Sequence, residues 1–220
     1  MTLQIKVLNS ENNSPVTSAY VSITNPDSSS LSAVQVNRLG IVEFPSCQIG
    51  TFEVHVESDG FIKATETIEA DSHYADITIQ RLVSISPKLE AGETRIIMNW
   101  GTESPRDVDL HVISVKKSDQ STCRTYFSNM NGCTEISQDV DNTEGGNNGA
   151  ETVTLLDNSI NKDYTYLIGL EDYKWGGNGQ TDFTQSDAKI TITNGVETEV
   201  LRMVANSITF PNEYEKFIES

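Results

Sequence analysis

Positive charge is scarce in this sequence. The 220 residues contain 15 Lys and Arg against 32 Asp and Glu, which gives a formal net charge of −17 at pH 7. Nucleic acids and anionic membrane surfaces are bound by concentrated positive charge. The composition therefore argues against both as partners, and it suits a self-repelling surface or one that divalent cations neutralise.

Long apolar runs are also missing, and none approaches the roughly 20 residues of a membrane-spanning helix. We therefore expect no membrane insertion. The opening residues, MTLQIKVLNSEN, lack the charged and apolar regions of a secretory signal, so the protein is either cytosolic or begins after a removed leader. Abundant Ser, Thr and Asn with sparse Lys favour an extracellular or cell-surface location. The glycosylation sequon at Asn12 is a further, weaker indication.

Cysteine is rare, with three residues in the chain. Cys123 and Cys133 bracket the turn-rich stretch RTYFSNMNG, which a strand–turn–strand pair could close with a disulfide. A loop this short would stabilise the fold by roughly 2–3 kcal/mol. We predict this disulfide, with two free thiols as the alternative, and we expect Cys47 to pack as a small buried hydrophobe.

Convincing helical periodicity is absent from the longer segments, and strict alternation dominates instead. The runs LQIKVL, AYVSIT and TFEVHVES each place alternate apolar residues on one face. A second set of such runs extends from TRIIMNW to VETEVLRMVA, with Asn194-Gly195 as a predicted type I′ hairpin turn. Short alternating strands separated by turn residues are typical of β-sandwiches, so the sequence predicts an all-β protein.

The stretch SISPKLEAGE separates the two sets of strands. We therefore predict two tandem antiparallel β-sandwiches, of the immunoglobulin-like or prealbumin-like kind, and a C-terminal tail. The expected boundaries are 1–84 for the first domain, 85–92 for the linker, 93–205 for the second domain and 206–220 for the tail.

Two stretches carry resemblances to known families. The segments IKVLNSENNSPVTSAYVSIT and NRLGIVEFPSCQIGTFEVHVESDGF resemble the carboxypeptidase-regulatory-like, or prealbumin-like, sandwich family. The segments RIIMNWGTESPRDVDLHVI and DVDNTEGGNNGAETVTL resemble the secreted YfaP-like β-sandwich family. The first resemblance implies a fold and is nearly silent on function. The second implies fold and a secreted location, and it brings no established reaction.

The acidic pairs Asp107/Asp109 and Asp139/Asp141 suggest a metal site in the second domain. Residues two apart on an extended segment share a side, so four carboxylates, together with Glu151, converge if the two segments are neighbours. Calcium takes six to eight oxygen ligands, which carboxylates, Asn side chains and Gly-loop carbonyls supply. The spacing is not that of an EF-hand. The alternative is a solvated acidic turn neutralised by Arg106 or another base.

Catalytic constellations are not visible, and we predict that the protein is not an enzyme. The histidines are scattered at positions 55, 73 and 111; His111 could be a ligand or a base, but we expect it to pack on its neighbours. The Gly-rich loop WGGNGQ follows Tyr173 and begins with Trp175. Both aromatic rings could stack on a sugar, although a Trp175 anchored in the core is the plainer expectation.

The sequence favours an extracellular structural protein, the repeating subunit of a filament or coat in which the chain is its own partner. The tail carries apolar residues that could add a strand to the sheet edge of a neighbouring copy; folding back on its own domain is the alternative. The competing function is a calcium-dependent carbohydrate-binding or adhesion module with glycans as partners. The predicted assembly residues are Ile208, Phe210, Tyr214 and Phe217.

Overall fold

A computed structural model describes residues 1–70, 77–101, 107–146, 148–156, 163–173 and 188–202. This part of the chain forms fifteen β-strands and no helix, which confirms the all-β prediction. No helix in it is long and apolar enough to cross a membrane. The chain divides into two compact units, one of Met1–Asn9 and Asn13–Lys88, the other of Ser10–Asn12 and Leu89–Ser220.

The first unit contains two sheets. The smaller sheet has the strand order β4-β1-β7, with β1 and β7 parallel, and the larger has the order β3-β2-β5-β6, with every pair antiparallel. Alternation in the sequence does not give pairing direction, so the parallel pair was not foreseen. The strands are β1 (Thr2–Asn9), β2 (Tyr20–Thr24), β3 (Ser30–Gln35), β4 (Ile41–Phe44), β5 (Gly50–Glu57), β6 (Ala64–Ala70) and β7 (Thr78–Ile85).

The core of the first unit follows from the period-two pattern. Alternate side chains on β1, β2 and β5 are completely buried, and burying each aliphatic or aromatic one contributes about 1.5–3 kcal/mol. Cys47 is a buried free thiol, as expected. The fully buried residues of these strands are Leu3, Ile5, Val7, Val21, Ile23, Phe52, Val54 and Val56.

The second unit also contains two sheets, with strand orders β10-β9-β13 and β11-β12-β8-β14-β15. Their apolar faces share one core, which includes Met98, Leu110, Val112, Ile136 and Val153. The strands are β8 (Thr94–Asn99), β9 (Val108–Lys116), β10 (Thr122–Thr125), β11 (Ile136–Val140), β12 (Glu151–Leu155), β13 (Tyr164–Asp172), β14 (Lys189–Thr193) and β15 (Thr198–Arg202).

Two local predictions in this unit can be compared with the structure. The Cys123–Cys133 disulfide is present. The β14–β15 hairpin is present, but Thr193 pairs with Thr198, so its loop is Asn194–Glu197 rather than two residues. Asn194 Oδ1 accepts the backbone N–H groups of Val196 and Glu197, and Gly195 supplies the positive φ of 84°.

Candidate metal centre

Three carboxylates of the second unit converge in the interior. The side chains of Asp107, Asp109 and Glu151 each offer an oxygen within 4.8 Å of the others, and their exposed fractions are 6%, 2% and 0%. Asp107 and Asp109 share a side because they flank Val108, whose own side chain packs in the core. A buried group of this composition could hold a metal ion.

Glu151 reaches the group from the other sheet. It is the first residue of β12, in which all five residues are buried, and it lies on the same face as the core residues Val153 and Leu155. Strand β10 pairs only with Val112–Val115 and ends before Leu110. The backbone N–H of Leu110 therefore has no partner on β10, and it donates to Glu151 Oε2 at 2.6 Å instead.

Asp141 lies beside this group and Asp139 does not. Asp141 is near enough to Glu151 and to Asp109 to raise the pKa of both. Asp139 Oδ2 instead accepts from Thr154 Oγ1 at 2.7 Å. Thr154 lies three residues after Glu151 on β12 and therefore on the opposite face. The sequence predicted that Asp139 lies with the other acids. The structure places it on the other face of β12 instead.

The separation of the two acids has a local cause. The β11–β12 register shifts between Gln138 and Val140, which makes Asp139 the extra residue of a β-bulge. A bulge breaks the rule that residues two apart share a side. Asp139 is held on its own face by Thr154 and by Arg95, whose Nε lies 3.7 Å from Asp139 Oδ2.

Two acids of the cluster, Glu151 and Asp109, have raised pKa values. Burial raises the pKa of Glu151 to about 10, with further increases from Asp141 and Asp109, against the lowering effect of the Leu110 N–H. Burial raises the pKa of Asp109 to about 7, helped by Asp107, Asp141 and Glu171, while Arg124 opposes the increase. At an effective dielectric near 20, two ionised carboxylates about 4 Å apart repel by roughly 4 kcal/mol.

The donor set fits a hard cation. Oδ2 of Asp109 and Oδ1 of Asp141 are buried atoms without a hydrogen-bond partner. A buried, unpaired carboxylate oxygen is costly unless a cation binds it and neutralises its charge. The described ligand atoms are all oxygens, as calcium prefers, whereas zinc prefers His and Cys. The residues that would hold the ion are Asp107, Asp109 and Glu151, with Asp141 beside them.

His111 is not free to act as a ligand or a base. Its Nδ1 accepts from Arg124 Nε at 2.9 Å, and its Nε2 lies 3.1 Å from Glu171 Oε2. These contacts assign the ring proton to Nε2. Burial and then Arg124 lower the pKa of His111 to about 4. The ring also stacks on Tyr126 at 5.4 Å between centroids, which agrees with the packing role expected from the sequence.

The Gly-rich loop after Asp141 is packed against the chain rather than open. A Cβ on Gly146 would lie 2.1 Å from the carbonyl oxygen of Trp100, so only glycine fits there. Asn142 braces the loop by donating from Nδ2 to the carbonyl of Gly145 at 3.1 Å, and its own N–H donates to Glu151 Oε1 at 3.4 Å. The sequence shows the Gly145-Gly146 pair, but it does not show that Gly146 packs against Trp100.

Other predicted positions are placed as follows. Asn12 is exposed, as a glycosylation site requires, and Tyr173 is 41% exposed. Trp175 and the four tail residues Ile208, Phe210, Tyr214 and Phe217 lie outside the described residues.

No family model and no curated protein matches the chain. Among solved structures, the chain is similar to the Bacillus anthracis TIE protein, with a TM-score of 0.33 and 12% identity, over 99% of this chain and 33% of that one. The chain thus spans about a third of that protein. This distant likeness assigns no family and carries no inference about function.

Proposed function

We propose that this chain is a non-enzymatic extracellular structural protein whose second unit is stabilised by a calcium ion. The observation that carries the calcium proposal is the convergence of Asp107, Asp109 and Glu151 within 4.8 Å at almost complete burial. Such a group costs folding energy unless it is protonated or neutralised by a cation. Calcium supplies two positive charges at the carboxylate oxygens and so removes the repulsion among them.

The calcium proposal is tested by chemical unfolding of the full chain in chelator and in excess calcium. Calcium is expected to stabilise the protein by about 2.7 kcal/mol when its concentration is 100 times the dissociation constant. An equal stabilisation by magnesium would contradict the preference for calcium, because magnesium demands a smaller octahedral site and dehydrates reluctantly.

The structural role that we propose is that of a repeating subunit in a surface or extracellular filament or coat. An all-β chain with a disulfide suits an oxidising environment. Within the described part, β3 and β15 lie at sheet ends and expose Val34 and Val200, 44% and 45% respectively. Exposed edge strands are templates for pairing with another chain, and the tail beyond residue 206 carries the apolar side chains for such pairing.

Light scattering on natively purified protein tests this role. We expect polymer from the intact chain and monomer from a chain that ends at Asn206. Monomer from both would contradict the filament proposal. Polymer from both would retain self-association and exclude the tail as the connector.

A calcium-dependent adhesion module is the second candidate, favoured by the aromatic side chains beside the cluster. Tyr173 is 41% exposed and contacts Phe127 edge-to-face, with ring centroids 5.2 Å apart. Exposed aromatic rings can stack on sugars. The carboxylates are buried, so calcium would support such a surface from within rather than bridge to the glycan. Glycan-array binding that a chelator abolishes would favour this candidate.

A further inference from the structure

An exposed carboxylate lies next to the buried acids of the second unit. In the antiparallel β9–β13 register, Glu171 is directly opposite Asp109. Residues placed in this way point to the same face of the sheet, with their Cβ atoms about 4.5–5.5 Å apart. Asp109 is 2% exposed, whereas the side chain of Glu171 is 54% exposed. The buried acid therefore has a neighbouring carboxylate that ions in solution can reach.

Glu171 is paired with a base, Arg124, whose side chain is 48% exposed. Arg124 Nη2 lies 3.4 Å from Glu171 Oε2. His111 connects the two, because its Nδ1 accepts from Arg124 Nε at 2.9 Å and its Nε2 lies 3.1 Å from the same Glu171 oxygen. The buried ring therefore holds both charges in place beside the cluster. We call Arg124 and Glu171 the rim pair.

The two charges of the rim pair act on the cluster with opposite sign. Burial is the main cause of the raised pKa of Asp109; Glu171 raises that pKa further and Arg124 lowers it. A divalent cation that approaches Asp109 is accordingly attracted by Glu171 and repelled by Arg124. Charges at the rim of a binding site change mainly the rate of association, and salt weakens their effect.

Asp109 offers an atom that such a cation can bind. Its Oδ2 is buried and has no hydrogen-bond partner. Of the described charged groups that shift the pKa of Asp109, Glu171 and Arg124 are the exposed ones. The face that carries the rim pair is therefore where the charge of the cluster meets solvent.

We propose that the rim pair controls the entry of a divalent cation into the carboxylate cluster, with Glu171 attracting the ion and Arg124 opposing it. The inference rests on the calcium site of the proposed function. Glu171 raises the local concentration of cations beside Asp109, as charged groups at the mouth of a site do. Arg124 keeps this attraction moderate, and His111 fixes the distance between the two charges.

The test compares Glu171→Gln with Arg124→Gln in the full chain. Both substitutions break the same ion pair, so a purely structural role predicts that both change calcium binding in the same direction. The proposal predicts opposite directions. At low ionic strength, Glu171→Gln should slow calcium association at least about threefold, and Arg124→Gln should accelerate it by a similar factor. Changes in the same direction would overturn the inference.

The association rate constant is obtained from two measurements with a fluorescent calcium chelator. Stopped-flow mixing with the calcium-loaded protein gives the dissociation rate, and equilibrium competition gives the dissociation constant. The matched control is Glu57→Gln, which neutralises an exposed carboxylate of the first unit that is paired with Lys63 at 2.8 Å. This control should leave the association rate unchanged, and an effect equal to that of Glu171→Gln would contradict a role specific to the rim pair.

Salt provides a second readout, and the outcomes separate this inference from the calcium proposal. In 1 M monovalent salt the screening length is about 3 Å, so the differences between the two variants and the unchanged protein should disappear. Differences that persist there would contradict an electrostatic role. An unchanged protein that binds no calcium would overturn both proposals. Calcium binding with association rates that neither variant alters would overturn the role of the rim pair alone.

Discussion

Glu151 Oε2 accepts the backbone N–H of Leu110 at 2.6 Å and so joins the two sheets of the second unit through a side chain. The same carboxyl belongs to the acidic cluster with Asp107 and Asp109. Glu151 therefore has two roles, as a hydrogen-bond acceptor at a strand edge and as a candidate ligand. Substitutions that keep one role and remove the other distinguish them.

Glu151→Gln removes the charge and keeps an amide oxygen that can accept from Leu110. We expect the variant to fold, with a calcium-induced stabilisation much smaller than that of the unchanged protein. The control is Asp139→Asn, because Asp139 contacts Thr154 on the other face of β12. It should retain the full calcium effect in urea unfolding experiments. Loss of that effect in Asp139→Asn alone would contradict the proposed ligand set.

The stability of the calcium-free protein should fall as pH rises from 5 to 8. The pKa values of Asp109 and Glu151 are raised to about 7 and about 10, so above pH 5 the folded state retains protons that the unfolded state has released. Each group then lowers stability by about 1.4 kcal/mol per pH unit. Asp109 contributes to this fall in stability up to about pH 7, and Glu151 contributes to it above pH 7 as well.

Urea unfolding in chelator at pH 5, 6, 7 and 8 measures this slope. Saturating calcium should flatten or reverse it, because the ion binds the ionised carboxylates and displaces their protons. In Glu151→Gln, the stability should fall only below about pH 7, because that part of the pH dependence comes from Asp109. Calcium-free stability that rises across this range would show that the cluster is already ionised and neutralised in another way.

Gly146→Ala should destabilise the protein by about 1–3 kcal/mol, the usual cost of overpacking. The added Cβ would lie 2.1 Å from the Trp100 carbonyl oxygen, a backbone atom that cannot rotate away. Gly169→Ala is the matched control, since its Cβ would meet His111 Cβ at an ordinary 3.7 Å. Thermal melting of both variants checks the difference, and equal melting temperatures would contradict the tight packing of this loop.

Replacing both Cys123 and Cys133 by Ser should lower the free energy of unfolding by about 3 kcal/mol, as expected for closure of so short a loop. The buried thiol Cys47 provides the comparison: Cys47→Ser alters a core position and leaves the loop closed. Only the stability of the double variant should be insensitive to reducing agent. If reductant still lowers its stability, the effect does not come from the Cys123–Cys133 disulfide.

Several features follow from the sequence because they depend on neighbours along the chain. Alternation on β1, β2 and β5 is enough to predict strands and the buried side of each. The spacing of Cys123 and Cys133 suits a short closed hairpin. Asp107 and Asp109 share a side for the same period-two reason, since Val108 between them faces the core.

The tertiary structure decided what depends on contacts between distant segments. The bulge at Asp139 moved that acid to the opposite face, and bulges are set by the register between β11 and β12 rather than by local alternation. The end of β10 before Leu110 left a backbone N–H that Glu151 accepts from another sheet. The sequence by itself therefore determined which residues form strands and which local pairs share a side. Sheet register and packing, which join residues far apart in the chain, determined the composition of the carboxylate cluster.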